Sequence, residues 1–363
     1  MNMEMLDVYV DYLICSTSYT TATGLSRATN NMISHDKITR FLAKEEFTPK
    51  DLWHIAKPFV RSIEQEDGVL IVDDTIEEKP YTDENEFIAW HHDHVKNRGV
   101  KGINIVSSLY EAGGKRAPVG YVLVAKTQEV IDKETGKKTR KSPISKQQHY
   151  RDLIMAAKKN DIKFKYVLND VWFASAENML FVKHVAKKEF IMPQKGNRYV
   201  ALSKENKARG RFVRIDSLEL GEGKTVWLQG LDFPVRLVRQ VFKNEDGSTG
   251  TLYLVSSDLE LTDDQIITIY KRRWKVEEYH KSLKSNVSLA KSPTKTPRTQ
   301  ANHVFAVMCA FIRLEAIGMR LKLNHFAIKG TIYVGALMSA FKELAKFRGP
   351  GFCQTVNYWM GAA

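Results

Sequence analysis

Tyr270, Arg273, Glu277 and Lys284 follow one another at intervals of three, four and seven residues. At about 100° per residue in an α-helix they point to roughly 0°, 300°, 340° and 320°, an arc of about 60°. The stretch opens as a capped helix, with Thr262 at the N-cap and Gln265 three residues on, and neither Pro nor Gly interrupts it through Lys284. A carboxylate thus shares a face with two cations and a phenol. Charged residues at such spacing are more often a plain solvated face. An acid beside cations and a stacking ring is also what a protein needs to set a metal ion next to a phosphodiester while gripping the neighbouring backbone.

Two more acidic sites lie upstream, each closing a short apolar, strand-like run: Val69-Leu70-Ile71-Val72-Asp73-Asp74-Thr75 and Phe164-Lys165-Tyr166-Val167-Leu168-Asn169-Asp170. Taken singly, an Asp after a strand is usually a turn or helix-cap residue. Three carboxylates far apart in sequence acquire a common purpose if they hold two divalent cations, about 4 Å apart, around an in-line displacement at phosphorus. Magnesium, a hard ion that takes a few carboxylates and keeps waters, suits such a site, with manganese able to substitute.

On these residues the chain resembles the DDE transposases of bacterial insertion sequences, specifically the group with a Tyr-x2-Arg-x3-Glu-x6-Lys signature, read here as Tyr270, Arg273, Glu277 and Lys284. Ile71-Val72-Asp73-Asp74-Thr75 looks like the family's first Asp block and Asn169-Asp170-Val171-Trp172-Phe173 like its second. The resemblance implies a catalytic, metal-holding triad of Asp74, Asp170 and Glu277. Asp73 competes with Asp74 for the first place, and Asp74 is preferred because the family's Asp is typically followed by Thr. It further implies that Arg273 and Lys284 hold phosphates beside the scissile bond, that Tyr270 contacts a phosphate or a displaced nucleotide, and that two copies of the chain pair the two element ends. Trp172 reads as a packing residue.

Composition agrees with a polyanionic partner. Lys and Arg number 55 against 42 Asp and Glu, a net charge of +13. The excess is local: Lys271, Arg272, Arg273, Lys275, Lys281, Lys284, Lys291, Lys295 and Arg298 crowd the signature helix and the loop after it. Cys15, Cys309 and Cys353 stand far apart with no metal-ligand pairing, so a reduced, cytoplasmic chain is the simplest reading. Glu4 and Asp7 near the start argue against a secretory leader. The apolar segment 304–321 contains Arg313, Glu315 and Arg320, too many charges for a membrane span, and reads as a buried or half-buried helix.

The elements that must position these groups can be read in order. Residues 1–66 are helical, and Thr48-Pro49-Lys50-Asp51 caps a second helix behind the one around Ile38 to Leu42. This helix-turn-helix parse makes Lys37 and Arg40 candidate phosphate contacts; the resemblance implies that the region recognises terminal repeats. Strands at 69–74, 102–110 and 119–125, a helix at 146–159, the strand ending at Asp170 and a helix at 174–188 give the order of an α/β, RNase H-like core. The resemblance implies that Asp74 and Asp170 lie side by side there. The core occupies 67–190 and, after an antiparallel β-insertion at 191–260, resumes at 261–300 with the Glu helix; 301–363 is a helical C-terminal region. The insertion shows strands at 225–228, 235–242 and 251–255 with turn signals at Asp232 and at Asn244-Glu245-Asp246-Gly247. In the family such an insertion supports a DNA hairpin, which implies Trp227 as a base-stacking platform.

Two features are set aside. Trp90-His91-His92-Asp93-His94 groups histidines without a CxxC or HExxH partner, and reads as a loop near the phosphate backbone rather than a zinc site. The run from Lys133 to Lys141 reads as a charged hairpin tip or loop, usually a solvated turn, with a non-specific phosphate contact as the alternative. The expectation is therefore a transposase that cleaves insertion-sequence ends with two magnesium ions and transfers strands into double-stranded target DNA, with no membrane partner. The alternatives are a structure-specific nuclease of the same fold, and a domesticated, non-catalytic DNA-binding protein, against which the three intact carboxylates argue.

Overall fold

Val69, Leu70, Ile71 and Val72 are wholly inaccessible to solvent, as an unbroken apolar run must be when both faces of its strand are covered. They open β1 (Val69–Glu78) in a computed structural model that describes residues 3–93, 96–131, 136, 138–243 and 246–348. Before β1 come α1 (Met3–Cys15), α2 (Ala22–Ala28), α3 (His35–Lys44) and α4 (Pro49–Ile63). The first half of the core continues through β2 (Ile88–Asp93), β3 (Arg98–Ala112), β4 (Lys115–Leu123), the hairpin β5 (Gln128–Ile131) and β6 (Lys138–Lys141), α5 (Lys146–Lys159), β7 (Tyr166–Leu168), α6 (Ala176–Leu180) and β8 (Glu189–Gln194). A π-helical turn, Phe181–Ala186, extends α6.

β1 pairs antiparallel with β3 and parallel with β7; β3 pairs antiparallel with β4, and β7 parallel with β8. The path β4-β3-β1-β7-β8, with α5 packed on β3 and β4, is an RNase H-like mixed sheet. A strand the sequence did not suggest is β2, which takes the first half of the outer edge of β3 while β4 takes the second. It holds Trp90 to Asp93 in a ladder, where the sequence suggested a loop; His94 lies outside the described residues.

The strands expected of an insertion are present as β11 (Lys224–Leu228), β12 (Val235–Lys243) and β13 (Thr249–Ser256), joined by β9 (Tyr199–Ala201), α7 (Lys204–Ala208) and β10 (Val213–Arg214). They do not make a separate sheet. β13 pairs with β8, so the insertion prolongs the core sheet to eleven strands in the order β10-β9-β11-β12-β13-β8-β7-β1-β3-β2, with β4 on β3. β8, which straddles the expected boundary between core and insertion at 190/191, is thus the fifth core strand.

The signature stretch is two helices, α8 (Asp263–Lys271) and α9 (Lys275–Ser285), joined by a 3₁₀ turn at Arg272–Trp274, where one unbroken helix was expected. Thr262 and Gln265 close the anticipated capping box. The turn is pinned from outside: Arg272 pairs with the Glu111 carboxylate and donates to the carbonyls of Glu111 and Asp67, at 3.0 and 2.9 Å. Next come α10 (Pro297–Leu321) and α11 (His325–Arg348). Most of α10 is buried, as its apolar sequence requires, because α1, α3, α4, α9 and β4 all pack on it. The helices before and after the core therefore share one layer. Among the described residues no helix is long and apolar enough to cross a membrane.

Candidate active site

Asp73, Asp74, Asp170 and Glu277 line one cavity of about 500 Å³. β1 delivers the two aspartates, while Asp170 sits two residues past the end of β7, the parallel neighbour of β1. Its Oδ1 accepts from the backbone N–H groups of Trp172 and Phe173, at 3.1 and 3.3 Å, which fixes the carboxylate at the head of the turn. Behind it the buried Asn169 donates to the Asp170 carbonyl and accepts from the Tyr150 hydroxyl at 2.8 Å. Glu277 comes from the first turn of α9, which packs on β1.

The cavity floor carries an excess of negative charge. Burial pushes the Asp73 carboxyl well above the usual carboxylate range, and the charges of Asp170, Asp74 and Glu277 push the same way. Asp170 is likewise raised, mainly by burial, and Asp74 adds to it. Each acid has a protein partner. Asp74 Oδ2 accepts from Asn104 Nδ2 at 2.6 Å and Lys146 Nζ at 3.0 Å. Arg273 lies 3.3 Å from Glu277 and 3.9 Å from Asp73. The donor set, hard carboxylate oxygens crowded enough to resist ionisation, fits a divalent cation such as magnesium. Among the described residues no three His, Cys, Asp or Glu side chains stand close enough together to hold a metal ion; Asp74 and Glu277 are each engaged by a cation of the protein, Lys146 and Arg273.

The remaining signature residues brace as well as line the site. Tyr270 is only 9 % exposed, and its hydroxyl donates to the Asn169 carbonyl at 3.3 Å. It ties α8 to the Asp170 turn. Lys284 lines the cavity and donates to the Ile76 carbonyl of β1 at 3.0 Å; a lysine has two further donors for a phosphate. Arg273 lies against the rings of Tyr270 and Trp274.

Other expected contacts stand elsewhere. Trp227 is on β11, five ladder steps from β1 or about 24 Å along the sheet, and Lys207 covers its ring at 4.5 Å. Lys37 and Arg40 are exposed on α3 and do not line the carboxylate cavity. Trp172 is 47 % exposed, with the Lys146 ammonium 5.1 Å from its ring, and so is not the packing residue expected. The sequence reading missed Asn104, Lys146 and His280. Only the side-by-side pairing of β1 and β3 brings Asn104 to Asp74, and Lys146 arrives at the first turn of α5 with no local motif to mark it. His280, one turn beyond Glu277, lines the cavity and is held neutral, its pKa pushed down to about 3 by burial and by Lys284.

The RNase H-like fold thus sets carboxylates from β1, from the end of β7 and from a late helix around one cavity. Residues 2–201 match the family described as DDE superfamily endonuclease, and the chain belongs to that family of DNA-cleaving enzymes, which use divalent metal ions. The match ends before Glu277, so the signature helix lies outside it. A comparison with curated proteins finds no match.

Proposed function

We propose that the chain is a transposase, which cleaves DNA at the ends of an insertion sequence and joins the freed ends to target DNA. The observation that carries this reading is that Asp74, Asp170 and Glu277 line one cavity together with Lys96, Lys146, Lys281 and Lys284. Asp74, Asp170 and Glu277 would hold the divalent ions, two per site. Bound there, these ions lower the pKa of an attacking water or hydroxyl and stabilise the leaving oxygen. Arg273 and Lys284 hold the phosphates on either side of the reacting one, the guanidinium by a two-point grip and the ammonium by a single contact. Asn104 keeps the Asp74 carboxylate oriented.

In the first step water attacks phosphorus at the element end, and the bond to the 3′-oxygen breaks to give a 3′-hydroxyl and a 5′-phosphate. In the second, that hydroxyl attacks a phosphorus of the opposite strand or of target DNA and displaces its 3′-oxygen. Joining two ends calls for two copies of the chain on the DNA.

The test is incubation of the protein with linear DNA carrying the ends of its own element, with magnesium or manganese, followed by denaturing gels. Wild type should yield nicked, hairpinned or strand-transferred products, and Asp74→Asn, Asp170→Asn and Glu277→Ala none, with DNA binding retained. DNA shifted but left uncut by all four proteins would rule out cleavage. The family's description, an endonuclease, favours one rival, a nuclease that cuts without joining. Pre-cut ends bearing a 3′-hydroxyl separate the two, because only a transposase joins them to a second duplex.

A further inference from the structure

A second cavity, of about 580 Å³, opens between β2 and the β5–β6 hairpin, and none of the residues assigned to cleavage lines it. At its wall stands Trp90, 57 % exposed, an indole that has not been folded into the core. Across the ladder Trp90 pairs with Lys101, and its diagonal neighbour is Gly99. A Cβ added at Gly99 would meet the indole at 3.7 Å, ordinary contact distance, so the missing side chain leaves that part of the ring uncovered. The indole is nonetheless fixed at its edge. Nε1 donates to Glu84 at 3.1 Å, and Arg140 grips the same carboxylate while donating to the carbonyl of Asn85 at 3.0 Å.

Lys126, Lys138, Arg140 and Lys141 line this cavity against Glu84 and Glu129. Arg140 is paired with Glu84, whereas among the described residues Lys138 and Lys141 have no carboxylate partner. An immobilised aromatic face amid surplus cations is the arrangement that binds single-stranded nucleic acid without regard to sequence, the ring stacking a base and the cations following the backbone. The volume suits one nucleotide. The two cavities also adjoin. His92 and Asp93, on the same strand as Trp90, line the carboxylate cavity, and the Lys126 ammonium, disfavoured first by burial, is also close enough to that of Lys146, the partner of Asp74, to feel its charge.

We propose that Trp90 is the stacking platform for an unpaired nucleotide of the DNA strand whose neighbouring phosphate lies over Asp74, Asp170 and Glu277. The link to a reacting phosphate rests on the function proposed above; the stacking site stands on its own geometry. It assigns the unpaired base to β2, on the opposite side of β1 in the sheet from Trp227.

The test measures binding by fluorescence anisotropy, in chelator so that nothing is cut, of a labelled duplex of arbitrary sequence, either blunt or with a short unpaired thymidine tail. Wild type should prefer the tailed duplex. Trp90→Ala should weaken tailed binding about ten-fold and leave blunt binding unchanged, and Trp90→Phe should keep most of the preference. A wild type indifferent to the tail would overturn the proposal, as would a Trp90→Ala protein weakened equally on both duplexes. A tail preference that depends on Trp90, in a protein that leaves its element ends uncut with metal, would uphold the nucleotide site and remove the cleavage reading alone.

Discussion

Asp74 reaches the cavity held by two groups with different consequences. Asn104, 1 % exposed, comes from β3, where it sits opposite Ile76, and donates at 2.6 Å. Lys146 brings a positive charge to the same oxygen at 3.0 Å. An amide orients a carboxylate without neutralising it, so Asn104 can stay in place when a divalent ion binds, while the ammonium opposes the ion's charge. Partners that orient a metal-holding carboxylate are worth about 10- to 100-fold in affinity or activity when removed. Asn104→Ala is therefore expected to lower cleavage by about that factor and to raise the manganese concentration needed for half-maximal rate. An unchanged manganese requirement would show that the amide does not orient the carboxylate.

At the scale of elements, the site depends on how closely β1 and β3 approach. Gly102 faces Glu78, and a Cβ placed on it would lie 2.3 Å from the Glu77 carbonyl oxygen, which is backbone and cannot step aside. Gly102→Ala must spread the ladder that brings Asn104 beside Asp74. We expect it to cost about 1–3 kcal/mol, read as a lower denaturation midpoint, together with reduced cleavage. Gly330→Ala in α11 is the contrast, since an added Cβ there meets nothing within 4 Å; it should leave cleavage intact and slightly raise stability, as helix-interior Gly→Ala changes do. The same scale explains the turn between α8 and α9. Arg272, next to the signature Arg273, anchors that turn to β3 and so sets where Glu277 enters the cavity.

At the scale of the whole molecule, the helical layer around α10 makes stability sensitive to acid. His303 is fully enclosed, with Nε2 donating to the Leu289 carbonyl at 3.3 Å, so Nδ1 accepts from the Tyr9 hydroxyl at 3.0 Å. Burial pushes its pKa from 6.5 down to about 4, and burial with Arg116 does the same to His325. Between those values the unfolded chain binds the protons and the native state does not, so stability present above about pH 6.5 is lost as pH falls toward about 4. Unfolding free energies from urea titrations should fall between neutral and mildly acidic buffer, by up to about 1.4 kcal/mol per pH unit for each such histidine, and His303→Gln should flatten the slope. A flat profile in wild type would show that the native state admits the proton.

Sequence alone determined what is local. Hydrophobic runs and caps are properties of a few consecutive residues, so α5 was legible from 146 to 159, the helix cap at Thr48 and the capping box at Thr262 were legible from their spacing, and β11, β12 and β13 could be seen as strands. The four signature residues and the two Asp blocks were legible for the same reason. Tertiary structure decided what depends on pairing across long separations. Nothing near Asn104 or Lys146 in the chain marks them as partners of Asp74; only the β1–β3 ladder and the placement of α5 do. The joining of β13 to β8, which makes the antiparallel insertion part of the core sheet, is likewise a choice between strand edges that single-strand patterns cannot make. Burial decided the rest, withdrawing Tyr270 into a brace and leaving Trp90 in water, because whether an aromatic ring is core or surface depends on what the fold packs against it.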